Sequence, residues 1–254
     1  MVLAERMDIQ MDMRINMVSS KEFSKNRITL TPNALSPIPQ AQILAALFSP
    51  AFPIGAFSYS HGMEAAIAAG AIGDVGTVHD WIETCLVGGS GRNDAILMAH
   101  AYDIAGGDDP DIEALNELAF ALSSGAERAQ ESRELGENFI RIVEQVYNVD
   151  VGIMVALAYP VAAGLAVRRL GCELPLGVTF FLQSFVSNLI SVAVRTVPIG
   201  QSDGQIILAR LMPVVVDLAE VAAIAPLDDV GGYAFLADHA AILHETLETR
   251  IYRT

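Results

Sequence analysis

The stretch from Leu174 to Arg195, LPLGVTFFLQSFVSNLISVAVR, decides the fold class of this chain. Its polar side chains recur in steps of three, one, three and four residues, a spacing that places them on one face of an α-helix: Ser184, Ser187, Asn188, Ser191 and Arg195. Apolar side chains fill the remaining faces. The pattern predicts a long helix that is buried in a protein core except for one polar seam, with Arg195 partly buried at its end.

The same stretch raises the question of a membrane span. Residues 174–194 contain no Asp, Glu, Lys or Arg, and their length would cross a lipid bilayer. The polar seam argues for a helix packed within a protein, and Met1–Met17 lacks the apolar run of a signal peptide. We therefore expect a cytoplasmic protein without a membrane segment, and a polytopic membrane protein is the less favoured alternative.

Helical periodicity continues along most of the 254 residues. Apolar stripes of 3.6-residue spacing occur within 115–122, 135–146, 207–218 and 236–251. Helix starts are indicated by Asp109-Pro110, by Ser124 with Glu127, by Pro175 and by Ser202 with Gln205. Almost no segment alternates with the period of a strand. These patterns predict an all-α fold, a single compact domain of about eight to ten helices over residues 41–254.

The first 40 residues differ from the rest in composition. They hold three prolines, five of the nine methionines and both lysines, Lys21 and Lys25. They show no helical stripe, and only residues 28–31 suggest a short strand. Residues 1–40 are therefore predicted to be a flexible N-terminal extension, whose deletion should leave the folded domain intact.

The charge distribution excludes several functions. Residues 41–254 carry 26 acidic residues against ten basic ones, all of which are arginine. Without lysine this region has neither a phosphate-binding GxxxxGK[ST] loop nor a Schiff-base lysine. A strongly negative surface repels nucleic acid; solubility is the favoured explanation for it, and a basic protein partner or a cation is the alternative.

Metal and nucleophile chemistry is weakly supported. Four of the five histidines have an acidic residue three or four positions later, which would share their helix face: His61/Glu64, His79/Glu83, His100/Asp103 and His244/Glu248. Such pairs are metal-ligand types, but no ExxH motif accompanies them, and surface pairing at i,i+4 is the favoured interpretation. No GxSxG occurs, and Cys85 lies in an apolar helical context. We expect no catalytic residue, no metal and no cofactor, with a helical metal-dependent enzyme as the alternative.

Two segments have the residue types of a protein-binding surface. Ser49–Glu64, SPAFPIGAFSYSHGME, combines rigid turn residues with Phe57 and Tyr59. His244–Thr254, HETLETRIYRT, ends with two arginines in a region otherwise short of bases. The first segment is either a structural loop or a rigid recognition loop. The second either complements the dipole of a last helix or recognises a partner.

The sequence resembles the urease accessory protein F (UreF) family in three places. Ser49–Glu64 matches the pattern SPxxPxGxFxYSxGxE throughout. Residues 193–205, AVRTVPIGQSDGQ, are similar to its AVRxxPxGQxxGQ segment. The C-terminal HET and RIYRT resemble its HET and RLFRS, with Ile251, Tyr252 and Thr254 replacing Leu, Phe and Ser. The likeness covers about residues 41–254 and leaves the extension outside.

The resemblance implies a helical, non-enzymatic homodimer that acts as a chaperone in urease maturation. It implies a scaffold that links a D- or H-type accessory protein to a nickel-carrying G-type GTPase, for nickel insertion into apo-urease, with regulation of GTP hydrolysis as a further role. Nickel binding by this chain itself stays open. The partner-binding residues expected from the three matching segments are Pro53, Gly55, Phe57, Ser58, Tyr59, Ser60, Glu64, Arg195, Gln201, His244, Glu245, Arg250, Tyr252 and Arg253.

Overall fold

The computed structural model describes residues 36–106, 111–151 and 155–254 of the chain. Its regular secondary structure in these ranges is entirely helical, which confirms the predicted all-α fold. The α-helices are α1 Pro37–Leu47, α2 Met63–Ala68, α3 Val75–Gly88, α4 Ser90–Ile104, α5 Ile112–Ala121, α6 Ala126–Tyr147, α7 Tyr159–Arg169, α8 Leu174–Thr196, α9 Gln201–Ala222 and α10 Phe235–His244. Two short 3₁₀ turns lie at Ala56–Ser58 and Leu227–Asp229.

Helix α8 forms the centre of the fold, as its sequence predicts. It packs against α1, α2, α3, α4, α7 and α9, and its apolar faces are buried among them. Among the described residues, α8 is the one helix that is long and apolar enough to cross a membrane. In its most apolar 18-residue window, 56% of the residues are buried inside the protein. Burial on this scale is typical of a core helix.

Close contact between helices α4 and α7 depends on a glycine. A Cβ atom at Gly164 would lie 2.2 Å from the carbonyl oxygen of Met98, which is far inside van der Waals contact. Any larger residue would force the two helices apart. The aromatic core lies beside this pair, where Phe139 packs on Phe48 and Tyr159 at ring distances of 5.8 and 5.5 Å.

Helix starts are fixed by local acceptors, in part at positions other than those predicted. Asp74 caps α3 by accepting from the amide of Thr77 at 2.9 Å. Asp111 caps α5 through the amide of Ala114, whereas the predicted Asp109-Pro110 start lies outside the described residues. At α9, Asp203 accepts from the amide of Gly200 at 2.8 Å, so the helix begins before the predicted Ser202.

The start of α6 contradicts the predicted capping box of Ser124 and Glu127. The N-cap is Gly125, and the free amides of Ala126 and Glu127 donate to Glu245 Oε1 at 2.6 and 3.3 Å. A residue that lies 119 positions away thus replaces the local cap, because the segment after α10 packs against this helix end.

Both ends of the predicted helical region are shifted. Helix α1 begins at Pro37, inside the predicted extension, and Gln40 is only 2% exposed and accepts from the amide of Glu173 at 2.9 Å. Residues 1–35 lie outside the described part of the chain, so the extension and the short strand stay predictions. At the other end, α10 stops at His244, although the apolar stripe predicted a helix to Ile251.

Candidate protein-binding surface

The turn between α1 and α2 is shaped by two glycines with positive φ. Gly55 has φ 86° and Gly62 has φ 77°, values in the left-handed region that side chains disfavour. A Cβ atom at Gly62 would lie 2.5 Å from the amide nitrogen of Ala241, so the turn rests directly on α10. This geometry leaves Phe57 63% exposed and buries Tyr59 to 3% exposure.

The chain end folds back onto this turn. The amide of Ser60 donates to the carbonyl of Thr254 at 2.8 Å, and the amide of Arg253 donates to the carbonyl of Ser58 at 2.9 Å. Tyr252 and Thr254 are 4% and 2% exposed. We call residues 53–64 and 244–254 together the turn–tail surface. The two segments selected from the sequence therefore form one structural unit.

Three carboxylates on α6 hold the tail in place. Glu127, Glu131 and Glu134 follow one another at four- and three-residue spacing, so they share one face of the helix. Each contacts a different tail residue, through one hydrogen bond from Arg250 to Glu127, one from Thr254 to Glu131 at 2.7 Å, and two from Arg253 to Glu134. The acidic face of α6 is thus matched to the two arginines of the tail.

The phenol of Tyr59 joins the pair formed by Arg253 and Glu134. Its hydroxyl donates to Glu134 at 2.7 Å and accepts from Arg253 at 3.0 Å, and the guanidinium also lies over the Tyr59 ring. Hydrogen bonds from Arg253, Gln130 and Tyr59 lower the pKa of Glu134 to about 2. Burial and the Glu134 carboxylate raise the pKa of Tyr59 above its ordinary value. Tyr59 is therefore a neutral donor at this position.

Glu64 and His244 connect the turn, α10 and the tail. Glu64, 8% exposed, accepts from the amides of Ile251 at 2.6 Å and Tyr252 at 2.9 Å. His244 is fully buried, with Nδ1 at 2.8 Å from Glu127 and Nε2 at 3.1 Å from Glu64. The helix-ending histidine therefore bridges two carboxylates that both hold the tail.

A group of mostly buried ionisable side chains lies beneath the turn. Arg128 pairs with Glu131, and His61 Nε2 lies 3.1 Å from the same carboxylate. They line a cavity of about 50 Å³ together with Asp94. Burial, with Arg128 nearby, lowers the pKa of His61 to about 4, and burial raises the pKa of Asp94 to about 7. Burial alone would raise the pKa of Glu131, but Arg128 and His61 outweigh it and lower that pKa.

The expected partner-binding residues divide into exposed and buried ones. Ser58 and Gly55 are half-buried, and Tyr59, Ser60, Glu64, His244 and Tyr252 are buried within the turn–tail surface. These buried residues fix the conformation of the turn and the tail. The exposed ones, which a partner can reach, are Pro53, Phe57, Arg195, Gln201, Glu245, Arg250 and Arg253.

Arg195 does not lie where the sequence predicts. The residue is exposed, because α8 reaches the protein surface in its last turn. It lines a recess of about 310 Å³ with Phe52, Phe57 and the serines of the polar seam. Asn188 of that seam donates to the carbonyl of Tyr59 at 3.2 Å. The polar seam thus positions the turn, and Arg195 lies beside the exposed Phe57 as an accessible cation.

The histidine pairs are mostly not those predicted from spacing. His61 contacts Glu131 and His244 contacts Glu64 and Glu127, while His100 Nε2 lies 3.0 Å from the carbonyl of Ala225. Only His79 keeps a near neighbour of the predicted kind, with Glu83 at 3.9 Å and Asp80 at 3.0 Å. Among the described residues, His79, Asp80 and Glu83 form the one group whose ligand atoms lie close enough together to hold a metal ion, and only Asp80 of the three is exposed.

Several residues of the surface were not predicted from the sequence. The tail forms hydrogen bonds with Glu127, Glu131 and Glu134. The cavity beneath the turn is lined by Arg128 and Asp94. The spacing of the three glutamates on one helix face was a usable signal. Nothing in the sequence near Asp94 indicates that α4 brings it under the turn, because that contact depends on how the helices pack.

The fold and the site define an all-helical protein whose turn and chain end form one charged and aromatic surface. The UreF family model matches residues 72–212. The urease accessory protein UreF of Ruegeria pomeroyi is 40% identical over 215 residues, covering 85% of this chain and 97% of that protein. The UreF proteins of Cereibacter sphaeroides and Rhodopseudomonas palustris are 45% and 42% identical over 206 and 231 residues, covering 81% and 86% of this chain and 94% and 96% of theirs. The chain belongs to the UreF family.

Proposed function

We propose that this protein is a urease maturation chaperone that works as a scaffold and not as an enzyme. In this role it binds a D- or H-type accessory protein and a nickel-carrying G-type GTPase, and it assists nickel insertion into apo-urease in the cytoplasm. Membership of the UreF family supports the proposal, since its relatives are named urease accessory proteins. Dimerisation and regulation of GTP hydrolysis belong to the same proposal.

The observation that carries the proposal is the construction of the turn–tail surface. Buried hydrogen bonds fix its backbone, while Phe57 and Ile251 remain 63% and 76% exposed. Apolar side chains on a rigid backbone lose little entropy on binding and make good interface anchors. Arg195 lines a recess with Phe57 as an exposed cation, and Arg250 and Arg253 are also solvent-accessible while they pair with Glu127 and Glu134. The surface therefore suits a protein partner with apolar pockets and carboxylates.

Recovery of the complex tests the proposal directly. The tagged chain is co-expressed with a D- or H-type accessory protein and a G-type GTPase, and the recovered proteins are quantified. Both partners should be recovered in stoichiometric amounts. Failure to recover either of them from cells that contain both in soluble form would contradict the scaffold function.

The metal-dependent enzyme is the alternative to be tested. The group on which it would depend consists of exposed Asp80 with the half-buried His79 and Glu83. Metal analysis of the purified protein distinguishes the two functions. One tightly held metal ion per chain, lost in His79→Gln, would favour the enzyme, whereas the scaffold predicts the same metal content in both proteins.

A further inference from the structure

The cavity beneath the turn lies where the turn meets helices α4, α6, α7 and α8. Its ionisable side chains are His61 of the turn, Asp94 of α4, and Arg128 and Glu131 of α6, and apolar residues of α6 and α8 complete its wall. The volume of about 50 Å³ gives room for about three water molecules, since one needs about 10–15 Å³. The cavity therefore suits a small occupant.

The ring of His61 is held in one orientation. Its Nε2 lies 3.1 Å from Glu131, and the ring meets Phe185 edge-on at a centroid distance of 5.1 Å. Burial, with Arg128 nearby, lowers the pKa of His61 to about 4, so the imidazole is neutral at pH 7. Its one N–H then donates to the Glu131 carboxylate, which leaves Nδ1 as an acceptor. This buried nitrogen has no hydrogen-bond partner among the described residues.

Asp94 supplies a second polar group without a partner on the protein. Its carboxyl forms no hydrogen bond with any residue that the structure describes, and Arg128 acts on it only electrostatically. Buried polar groups in folded proteins almost always have a hydrogen-bond partner, which is either another protein group or ordered water. Because His61 and Asp94 both line the cavity, a partner for both of them can lie inside it.

The charges around the cavity favour a neutral and polar occupant. Arg128 repels a metal cation, and the Glu131 carboxylate repels an anion. In the described ranges, the ligand atoms of His61, Asp94 and Glu131 do not form a cluster close enough to hold a metal ion. An apolar molecule suits a cavity lined only by apolar side chains, which this one is not. Water fits, because it can donate to His61 and also bond to Asp94.

We propose that this cavity is a water-binding site in which ordered water connects His61 of the turn to Asp94 of α4. The water donates to Nδ1 of His61 and forms a hydrogen bond with the Asp94 carboxyl, across a gap that the two side chains do not bridge directly. Buried water of this kind is part of a protein's structure. The turn is thus positioned from beneath by water, in addition to the hydrogen bond from Asn188. This inference goes beyond the proposed function, because it concerns the isolated chain and requires no partner.

A high-resolution crystal structure of the full-length protein tests the proposal. Electron density for water should lie about 2.7–3.2 Å from Nδ1 of His61 and at a similar distance from a carboxyl oxygen of Asp94. In solution, nuclear Overhauser effects from bound water should reach the methyl group of Ala56, which also lines the cavity. An empty cavity, a direct hydrogen bond between His61 and Asp94, or density for an ion in place of water would overturn the proposal.

Two variants of Asp94 test the role of its polar group. Asp94→Asn keeps the ability to form hydrogen bonds and should retain the Overhauser effect between water and Ala56. Asp94→Leu is of similar size but apolar and should lose this effect. Asp80→Leu, at an exposed position of α3, is the control and should retain it. The wild-type crystal structure decides the question if Asp94→Leu does not fold. An effect of wild-type strength in Asp94→Leu would show that Asp94 does not hold the water, and would overturn the proposal.

Discussion

The guanidinium of Arg253 forms two hydrogen bonds, of 2.6 and 2.9 Å, with the carboxylate of Glu134, 119 residues earlier in the chain. This pair connects the chain end to the middle of α6, and Tyr59 of the turn completes it. Three segments that are distant in sequence thus depend on one another for their arrangement.

Replacing Arg253 should free the tail without unfolding the protein. Arg253 is more than half exposed, so Arg253→Ala should lower the free energy of unfolding by only about 0.5–1 kcal/mol. Limited proteolysis should nevertheless cleave the tail faster than in the wild type. Arg210→Ala, at an exposed arginine of α9, is the control and should leave the cleavage rate unchanged. Equal cleavage rates in all three proteins would show that the pair does not hold the tail.

Acid should weaken the same contact. The pKa of Glu134 falls from an ordinary value of 4.5 to about 2 in the folded protein, chiefly through its hydrogen bond with Arg253. A lowered carboxyl pKa stabilises the fold above the ordinary value, and this contribution is lost as the pH falls from about 4.5 to 2. Glu134→Gln should therefore have a lower Tm than the wild type at pH 7. The gap should close on acidification, and a gap independent of pH would contradict the assignment.

Asp94 should have the opposite pH dependence. Burial raises its pKa from 3.8 to about 7, so the folded state favours the protonated form and loses stability as the pH rises from about 4 to 7. Asp94→Asn resembles the protonated acid and should raise the Tm at pH 8 by a few degrees, while changing it little at pH 4. Exposed Asp80→Asn serves as the control. Destabilisation by Asp94→Asn at pH 8 would show that the carboxylate is needed in its charged form.

The sequence predicted the fold well because the helices depend on local periodicity. The polar seam of α8 was predicted correctly, but the sequence alone does not show its role, which is to position the turn through the hydrogen bond from Asn188 to the backbone of Tyr59.

The tail was harder to predict. Its apolar spacing continues to Ile251, but Glu64 captures the amides of Ile251 and Tyr252, a long-range contact that replaces helical hydrogen bonds. Arg250 and Arg253 do not lie in a last helical turn, since α10 ends at His244, but the Arg250 guanidinium still donates to the carbonyl of His244 at 3.4 Å, whereas Arg253 pairs with Glu134.

Arg195 shows the limit of reasoning from one helix. Its place on an apolar helix predicted partial burial, and removing an arginine that leaves a buried partner unpaired would cost about 2–4 kcal/mol. The structure leaves its side chain exposed beside the turn. Arg195→Ala should change the free energy of unfolding by less than about 0.5 kcal/mol, as is usual for surface positions. Chemical denaturation measures this value, and a decrease in the free energy of unfolding above about 2 kcal/mol would show that Arg195 is buried.

Truncation of the tail is a less specific test of partner binding than substitution of exposed side chains. Removing residues 250–254 would delete Arg250 and Arg253 together with buried side chains. Because Tyr252 and Thr254 are 4% and 2% exposed, the deletion should also lower stability. Loss of binding in that variant would therefore mix two causes. Substitution of side chains that face solvent separates them.

Partner binding at the turn–tail surface is tested by complex recovery with the double variant Phe57→Ala, Ile251→Ala. Both side chains are largely exposed, at 63% and 76%, so the Tm should stay within about one degree of the wild type. Ile224→Ala, 86% exposed just after α9, is the matched control and should bind normally. With the D- or H-type accessory protein and the GTPase co-expressed, the double variant should recover at least one of them about tenfold less efficiently, as expected for the loss of interface anchors. Full recovery of both partners by the double variant would show that they bind elsewhere on the protein.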